Sequence, residues 1–345
     1  MTPQGAGPGM PRRAMLAGCL TCAAARRLRA AEIEWDVFKS RFLTGDGRIL
    51  DTGNRGISHT EGQGWGLLFA EHHDDPAAFE RIYDWIHRNL RRPDDALHAW
   101  RYDPAAADPV SDGNNAADGD LFIGMALSRA ARRWRNALYA ARATRIAQDI
   151  RRLLVREIGT RAVLLPGYEG FEGSSAVVVN PSYYAIPAIR ELADRDPSPV
   201  WQTLVDDGQA LFAEARFGKW SLVPDWLQLE IPSGKAAPAA NWPPRFSFDA
   251  VRLPLYLNWG GCKPDLSFKS FALQFGDKLP AWVDLVSNEV APYIAPPGVQ
   301  AVRMFATATV GDPLPTDFPT VASAPDYYSA ALTMLVRLAW WEAYR

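Results

Sequence analysis

Cysteine is nearly absent from this 345-residue chain: there are three, and two of them, Cys19 and Cys22, lie within the first 25 positions. Only Cys262 remains beyond that stretch, so no intrachain disulfide is expected and stability has to come from packing. Histidine is scarce as well, five in all, with His72 and His73 adjacent and His87 and His98 isolated. No His-Glu-x-x-His or Cys-x-x-Cys spacing offers a zinc site. A Gly-x-Ser-x-Gly elbow and a phosphate-cradling glycine loop are also missing, which argues against a serine hydrolase of that type and against a nucleotide. Nothing calls for a cofactor or a metal. Charge of one sign is not in excess either: 37 basic residues face 39 acidic ones for a net charge of −2. The basic stripe that nucleic acid requires is therefore not expected.

What the chain does have is apolar residues, 48%, and a generous aromatic supply of 13 Trp, 11 Tyr and 15 Phe. That is enough for a sizeable core. Most of these rings are core material, although a carbohydrate cleft also needs flat apolar faces. Helical spacing dominates and period-two alternation is rare. Phe79, Ile82, Tyr83, Ile86 and Leu90 define a helix over Pro76 to Leu90, with Asp74 or Asp75 as its cap and Pro76 in the first position. The same pattern predicts helices over 118–134, 143–158, 187–193, 200–215, 250–259, 282–290 and 326–344, and strands over 176–179 and 299–306. The Pro-rich stretch from Ala237 to Pro244 reads as a loop and not as a domain boundary.

Residues 1–31 read as an export signal with a flexible flank, and residues 32–345 as one catalytic domain. Arg12 and Arg13 precede the apolar run from Ala14 to Ala25, which is too short to span a bilayer. The arginine pair points to twin-arginine export and a periplasmic or secreted protein; an alternative is lipoprotein processing at Leu16-Ala17-Gly18-Cys19. Cleavage after Ala25 takes the net charge from −2 to −4, and cleavage near Ala31 takes it to −7.

The most informative stretch is His59-Thr60-Glu61-Gly62-Gln63-Gly64-Trp65-Gly66, a carboxylate among glycines beside an indole. The glycines leave room for a substrate to approach, and Trp65 or Gln63 is placed to contact a sugar ring. Downstream lies Ala116-Ala117-Asp118-Gly119-Asp120, leading into an apolar helical run to Trp134. Taken alone, Asp-Gly-Asp before such a run is ordinary helix capping. Together the two segments resemble glycoside hydrolase family 8, with its Ser/Thr-Glu-Gly-Gln-aromatic-Gly and Ala-Ser-Asp-Gly-Asp segments. Phe246-Ser247-Phe248-Asp249-Ala250-Val251-Arg252 is similar to the family's Tyr-Asp-Ala-x-Arg, with Phe248 in place of the tyrosine. Leu164-Leu165-Pro166-Gly167 with Gly170-Phe171, then Asn180-Pro181-Ser182-Tyr183, and Pro224-Asp225-Trp226 follow in the family's order. The similarity runs from about Phe38 to the C-terminus. It is greatest to the endoglucanase branch that accompanies bacterial cellulose synthase.

The resemblance implies an all-α fold, an (α/α)6 barrel of paired helices with short accessory strands. It implies an inverting endo-β-1,4-glucanase acting on cellulose or a related β-1,4-glucan, with a functional link to the cellulose synthase complex. The same fold acting on xylan, mixed-linkage glucan or chitosan, or serving as a non-catalytic glycan-binding factor, are the alternatives. Glu61 is then the general acid, Asp249 the general base and Asp118 the carboxylate that grips the distorted sugar, with Asp120 a cap or supporting carboxylate. An inverting pair leaves room for water, about 6.5–9.5 Å between carboxyls. Apolar burial against Trp65 and repulsion from Asp118 are expected to keep the proton on Glu61. Arg252 either orients the base, contacts the sugar, or makes a structural salt bridge; Tyr183 either bonds the attacking water or packs. Trp65, Trp226, Trp100 and Trp242 are candidate stacking platforms, Trp65 first.

Overall fold

The computed structural model describes residues 32–344, so the segment expected to be an export signal, with Cys19 and Cys22, lies outside the described residues. Helix α1 covers residues 32–42. It is followed by α2 (Thr60–His72), α3 (Pro76–Asn89), α4 (Ala117–Arg133), α5 (Ala137–Leu154), α6 (Ile186–Ala193), α7 (Pro199–Glu214), α8 (Arg252–Trp259), α9 (Leu266–Phe275), α10 (Pro297–Thr307) and α11 (Tyr327–Ala343). Contacts run from α2 to α4, α4 to α6, α6 to α8, α8 to α10, α10 to α11 and back from α11 to α2. That closes a ring of six. A second helix backs much of it: α3 lies on α2, α5 on α4, α7 on α6 and α9 on α10. Helix α1 joins through Phe38, whose ring meets Phe69 of α2 and Tyr327 of α11. The fold is an (α/α)6 barrel.

Position in the ring explains the composition of each helix. Helices α2 and α4 are buried along nearly their whole length, from Gly62 to Glu71 and from Ala117 to Ser128. A helix buried all round has no polar face to maintain. Helices α3 and α5 are backed on one side only and carry a single apolar stripe, Phe79, Ile82, Tyr83 and Ile86 in α3. Their starts follow local chemistry: Asp75 accepts from Ala78 N at 3.0 Å with Pro76 at the first position, and Asn136 accepts from Leu138 N at 3.0 Å.

Three expectations are corrected. Residues 282–290 form no helix, because Asp284 Oδ1 accepts from the backbone of Val286 and Ser287 and turns the chain after the short strand Val283–Asp284. Residues 299–306 are helical: Val299, Val302 and Phe305 are three apart, all buried, and follow Pro296-Pro297 at the start of α10. The helix expected over 143–158 begins earlier, at Ala137, and ends at Leu154, where the chain enters the antiparallel pair Val155–Ile158 with Arg161–Leu164.

Sheet structure is confined to small antiparallel pieces that trim the loops. Ser58–His59 pairs with Arg101–Tyr102 at the entry to α2. Ala176–Val179, Leu227–Glu230 and Ala236–Pro238 form a three-stranded sheet. Arg245–Phe246 pairs with Val283–Asp284, which fixes the chain three residues before Asp249.

Candidate active site

Helices α2 and α4 begin at the same end of the ring and carry Glu61 and Asp118 in their first turns. Two glycines let them meet. A Cβ on Gly64 would come 2.8 Å from Phe122 Cβ, and one on Gly119 would strike Thr60 and come 2.8 Å from Glu61 N. Gly64 therefore serves close contact between α2 and α4, while Gly62 faces the Tyr327 hydroxyl and Gly66 the Ile49 side chain, and the sequence expectation that these glycines leave room for substrate is corrected.

Trp65 and Gln63 are corrected with them. Trp65 is fully buried, its ring edge-on to Phe122 at 6.1 Å between centroids, and no face is left for a sugar. Gln63 is also fully buried; its Oε1 accepts from Ile49 N at 2.5 Å and its Nε2 donates to Gly47 O at 3.3 Å. It pins the 43–50 loop to α2. Both lie on inward faces of a helix that has no outward one, which a motif read as a turn does not reveal.

The third carboxylate arrives from the far side. Asp249 sits in the turn that leads into α8, and its side chain is 34% exposed. Arg252, the first residue of α8 and almost wholly buried, links all three: Nη2 donates to Asp249 Oδ1 at 2.6 Å, Nη1 pairs with Glu61, and Nη1 stands 3.7 Å from Asp118 Oδ2. Nη2 also donates to Ser182 Oγ at 2.8 Å, and Ser182 Oγ donates to Asn180 Oδ1 at 2.7 Å. One guanidinium thus sits among three acids from three separate elements, with five donors to spend on them. What the geometry shows for Arg252 is ion pairing with the carboxylates. Where apolar cover by Trp65 was expected to set the state of Glu61, a cation stands against its carboxylate.

Burial and like charges act on the other two acids. Asp118 is pushed up to about 7, chiefly by loss of water around it, against the pull of the Gly119 N–H and the charge of His59. Asp249 is pushed up to about 8 by desolvation, then by Asp225 and Asp118, while hydrogen bonding to Asn180 and Trp226 opposes the rise. Its exposed third lets solvent in the cleft screen part of that effect. Asp120 plays the supporting part: fully buried, it accepts from His98 N at 3.1 Å and Asn115 Nδ2 at 3.0 Å, and its Oδ1 lies 2.8 Å from His98 Nδ1.

Aromatic rings border the acids. Trp226 stacks on Trp242 at 4.8 Å and 17° and on Phe171 at 5.9 Å and 6°, with Tyr183 tilted against it at 6.0 Å. Tyr183 lies near enough to feel the charges of both Asp118 and Asp249, and burial and those charges raise it well above the usual phenol range. Trp100 is half-buried, its Nε1 donating to Asp112 at 2.7 Å. Phe248 exposes its ring, and the Tyr328 hydroxyl donates to its carbonyl, so the turn is tied down although the family's tyrosine is missing there. Ser182, Asn180 and Asp225 were not assigned roles from sequence, although each stands in a segment quoted above. A buried polar residue next to an aromatic, as in Pro-Asp-Trp and Asn-Pro-Ser-Tyr, was the available signal.

The sequence matches glycosyl hydrolases family 8 over residues 9–342. The chain belongs to that family. It is 42% identical over 310 residues to a probable endoglucanase of Novacetimonas hansenii, covering 89% of this chain and 90% of that protein. It is 40% identical over 309 residues to an endoglucanase of Cellulomonas uda, covering 88% and 85%. Its structure superposes on the endo-beta-1,4-glucanase CMCax from Acetobacter xylinum with a TM-score of 0.87 at 41% identity, covering 92% of this chain and 99% of that one. Like other family 8 chains, it is a glycoside hydrolase.

Proposed function

We propose that this family 8 enzyme is an inverting endo-β-1,4-glucanase in which Glu61 is the general acid, Asp249 the general base and Asp118 the carboxylate that holds the sugar at the bond to be cut. The observation that carries the assignment is the meeting of these three acids on Arg252, beside the Trp226 stack. Glu61 gives its proton to the glycosidic oxygen as that bond breaks. Asp249 takes a proton from water, and the hydroxide so formed attacks the anomeric carbon from the opposite face. A carboxylate made more basic by its surroundings is the better acceptor in that step. A proton on Glu61 and the Arg252 contact compete for the same oxygen; Asp249, Ser182 and Asp118 give Arg252 other partners when the acid is loaded.

The substrate is a β-1,4-glucan such as cellulose, and we extend the proposal to trimming of cellulose during its synthesis and export. Similarity to endoglucanases supports the first; the second, with placement in the periplasm or outside the cell, rests on the sequence signal and the family resemblance. The test is the release of reducing ends from carboxymethylcellulose, xylan and chitosan, with Glu61→Gln and Asp249→Asn beside the parent and the anomer of fresh product read by NMR. Activity confined to the glucan, inversion, and loss in both variants are expected. Activity on another glycan alone, or retention, overturns the reading.

A further inference from the structure

Asp225 lies in the loop between α7 and the strand Leu227–Glu230, with 8% of its surface exposed. Every hydrogen bond of its carboxylate goes to the segment that carries Asp249. Oδ1 accepts from Ser247 N at 2.9 Å and from Ala250 N at 2.8 Å, and Oδ2 accepts from the Ser247 hydroxyl. Its own backbone N donates to Arg245 O at 2.7 Å. Residues on both sides of Asp249 are thus clasped by one side chain; burial raises Asp225 above the usual carboxylate range, and its donors, all neutral, oppose that rise without cancelling the charge.

We propose that Asp225 is a positioning residue for Asp249: it clasps the 245–250 turn and sets a second negative charge behind the base. This rests on Asp249 being the base. The groups facing Asp249 are Arg252 of α8, Asp118 of α4, Tyr183, Tyr328 of α11 and Asp225, with Glu61 across Arg252. The two tyrosines are both raised above the usual phenol range, so charge changes near Asp249 between pH 4 and 9 come from the acids alone. Among those, Asp225 exerts the largest effect on Asp249 and raises it. Without that charge the base gives up its proton at lower pH.

The experiment is the pH profile of kcat/KM on soluble β-1,4-glucan for the parent, Asp225→Asn, Asp225→Ser, Asp225→Glu and Asp249→Asn, each checked for folding by its melting temperature. The amide of the Asn variant keeps the acceptor for Ser247 N and Ala250 N. In the two neutral variants the acidic limb moves down by about one pH unit, whatever the maximal rate. In the Glu variant, which keeps the charge and disturbs the clasp, the limb stays while kcat falls. A limb that stays put in both neutral variants, or moves up, overturns the proposal and leaves Asp225 a structural residue. Wild-type rate and limb in Asp249→Asn would instead overturn the base assignment itself, so the two failures are distinct.

Discussion

Arg252 and Asp249 are three residues apart and ion-paired at 2.6 Å, yet they belong to different structures: Asp249 to a turn, Arg252 to the helix that the turn begins. Because Arg252 also pairs with Glu61, the acid and base carboxylates proposed here are coupled through one side chain. Neither moves without changing the partners of the other. Three carboxyl groups gathered at one end of the barrel repel one another as they ionise, and a single buried cation offsets part of that repulsion.

Replacing Arg252 by Met therefore strands three carboxylates. Breaking a buried pair costs about 3–5 kcal/mol, and Asp249, being partly solvated, brings the expectation here to about 2–4 kcal/mol. The loss is full above about pH 8 and shrinks as pH falls through the raised values of Asp249 and Asp118, about 8 and about 7, because the protonated acids no longer need the cation. Urea unfolding at pH 9 and pH 5 measures this; an equal loss at both pH values would show that the guanidinium acts by packing alone. Activity falls by at least 100-fold, since both carboxylates lose their orientation.

Gly119→Ala tests the helix contact that brings Glu61 and Asp118 together. The added methyl meets Thr60 and the backbone of Glu61, so one of the helices must shift. Overpacking of this kind costs about 1–3 kcal/mol, and because the shift displaces the acid, kcat drops more than stability alone explains. Gly113→Ala is the control: nothing lies within 4 Å of its added Cβ, and both melting temperature and kcat are expected to stay. Equal behaviour of the two variants would remove the close-contact account.

Much of this was legible in the sequence, and the failures have physical causes. Helical spacing found α3, α4, α6, α7 and α11 because each buries a stripe or is long enough to show one. It missed α1, α2, α9 and α10. Helix α2 is rich in glycine and buried all round, so it has neither high propensity nor a polar face; its sequence reads as a turn. Glu61 and Asp118 stood out as carboxylates in glycine-flanked segments, and Asp249 through the resemblance of Phe248-Asp249-Ala250-Val251-Arg252 to the family's Tyr-Asp-Ala-x-Arg. Asp225, Ser182 and Asn180 did not, since a hydrogen bond across 70 residues, as between Ser182 and Arg252, leaves no local pattern. Trp65 was ranked first among the stacking candidates through its neighbour in sequence, whereas Trp226 and Trp242 meet only in three dimensions.

That exchange of tryptophans gives a third prediction. Trp226→Ala removes the centre of a three-ring stack at the cleft and is expected to raise KM for cello-oligosaccharides about 3- to 10-fold, from the roughly 0.5–1.5 kcal/mol that an aromatic face contributes. Trp65→Phe, deep between α2 and α4, is expected to lower the melting temperature with KM unchanged. Steady-state kinetics beside thermal melts separates them. A rise in KM for Trp65→Phe with no change in stability would restore Trp65 as a sugar contact.

Asp118 makes the last prediction, and its sign is opposite to that of the ordinary salt-bridged acid. Its folded value, about 7, lies above the 3.8 of a free aspartate, so between those values the folded state holds a proton that the unfolded state has released. Below about pH 4 both states are protonated and Asp118 costs nothing; as pH rises toward 7 the fold loses stability, and above 7 the full cost of the buried charge is present. Asp118→Asn removes that charge and keeps the oxygen that accepts from Gly119 N at 2.8 Å. The variant is therefore expected to be inactive yet more stable than the parent by about 2–4 kcal/mol at pH 8, with the advantage gone at pH 4. Denaturant unfolding at the two pH values measures it. A difference that is the same at both, or that favours the parent at pH 8, would mean that Arg252, 3.7 Å away, already compensates the charge in full.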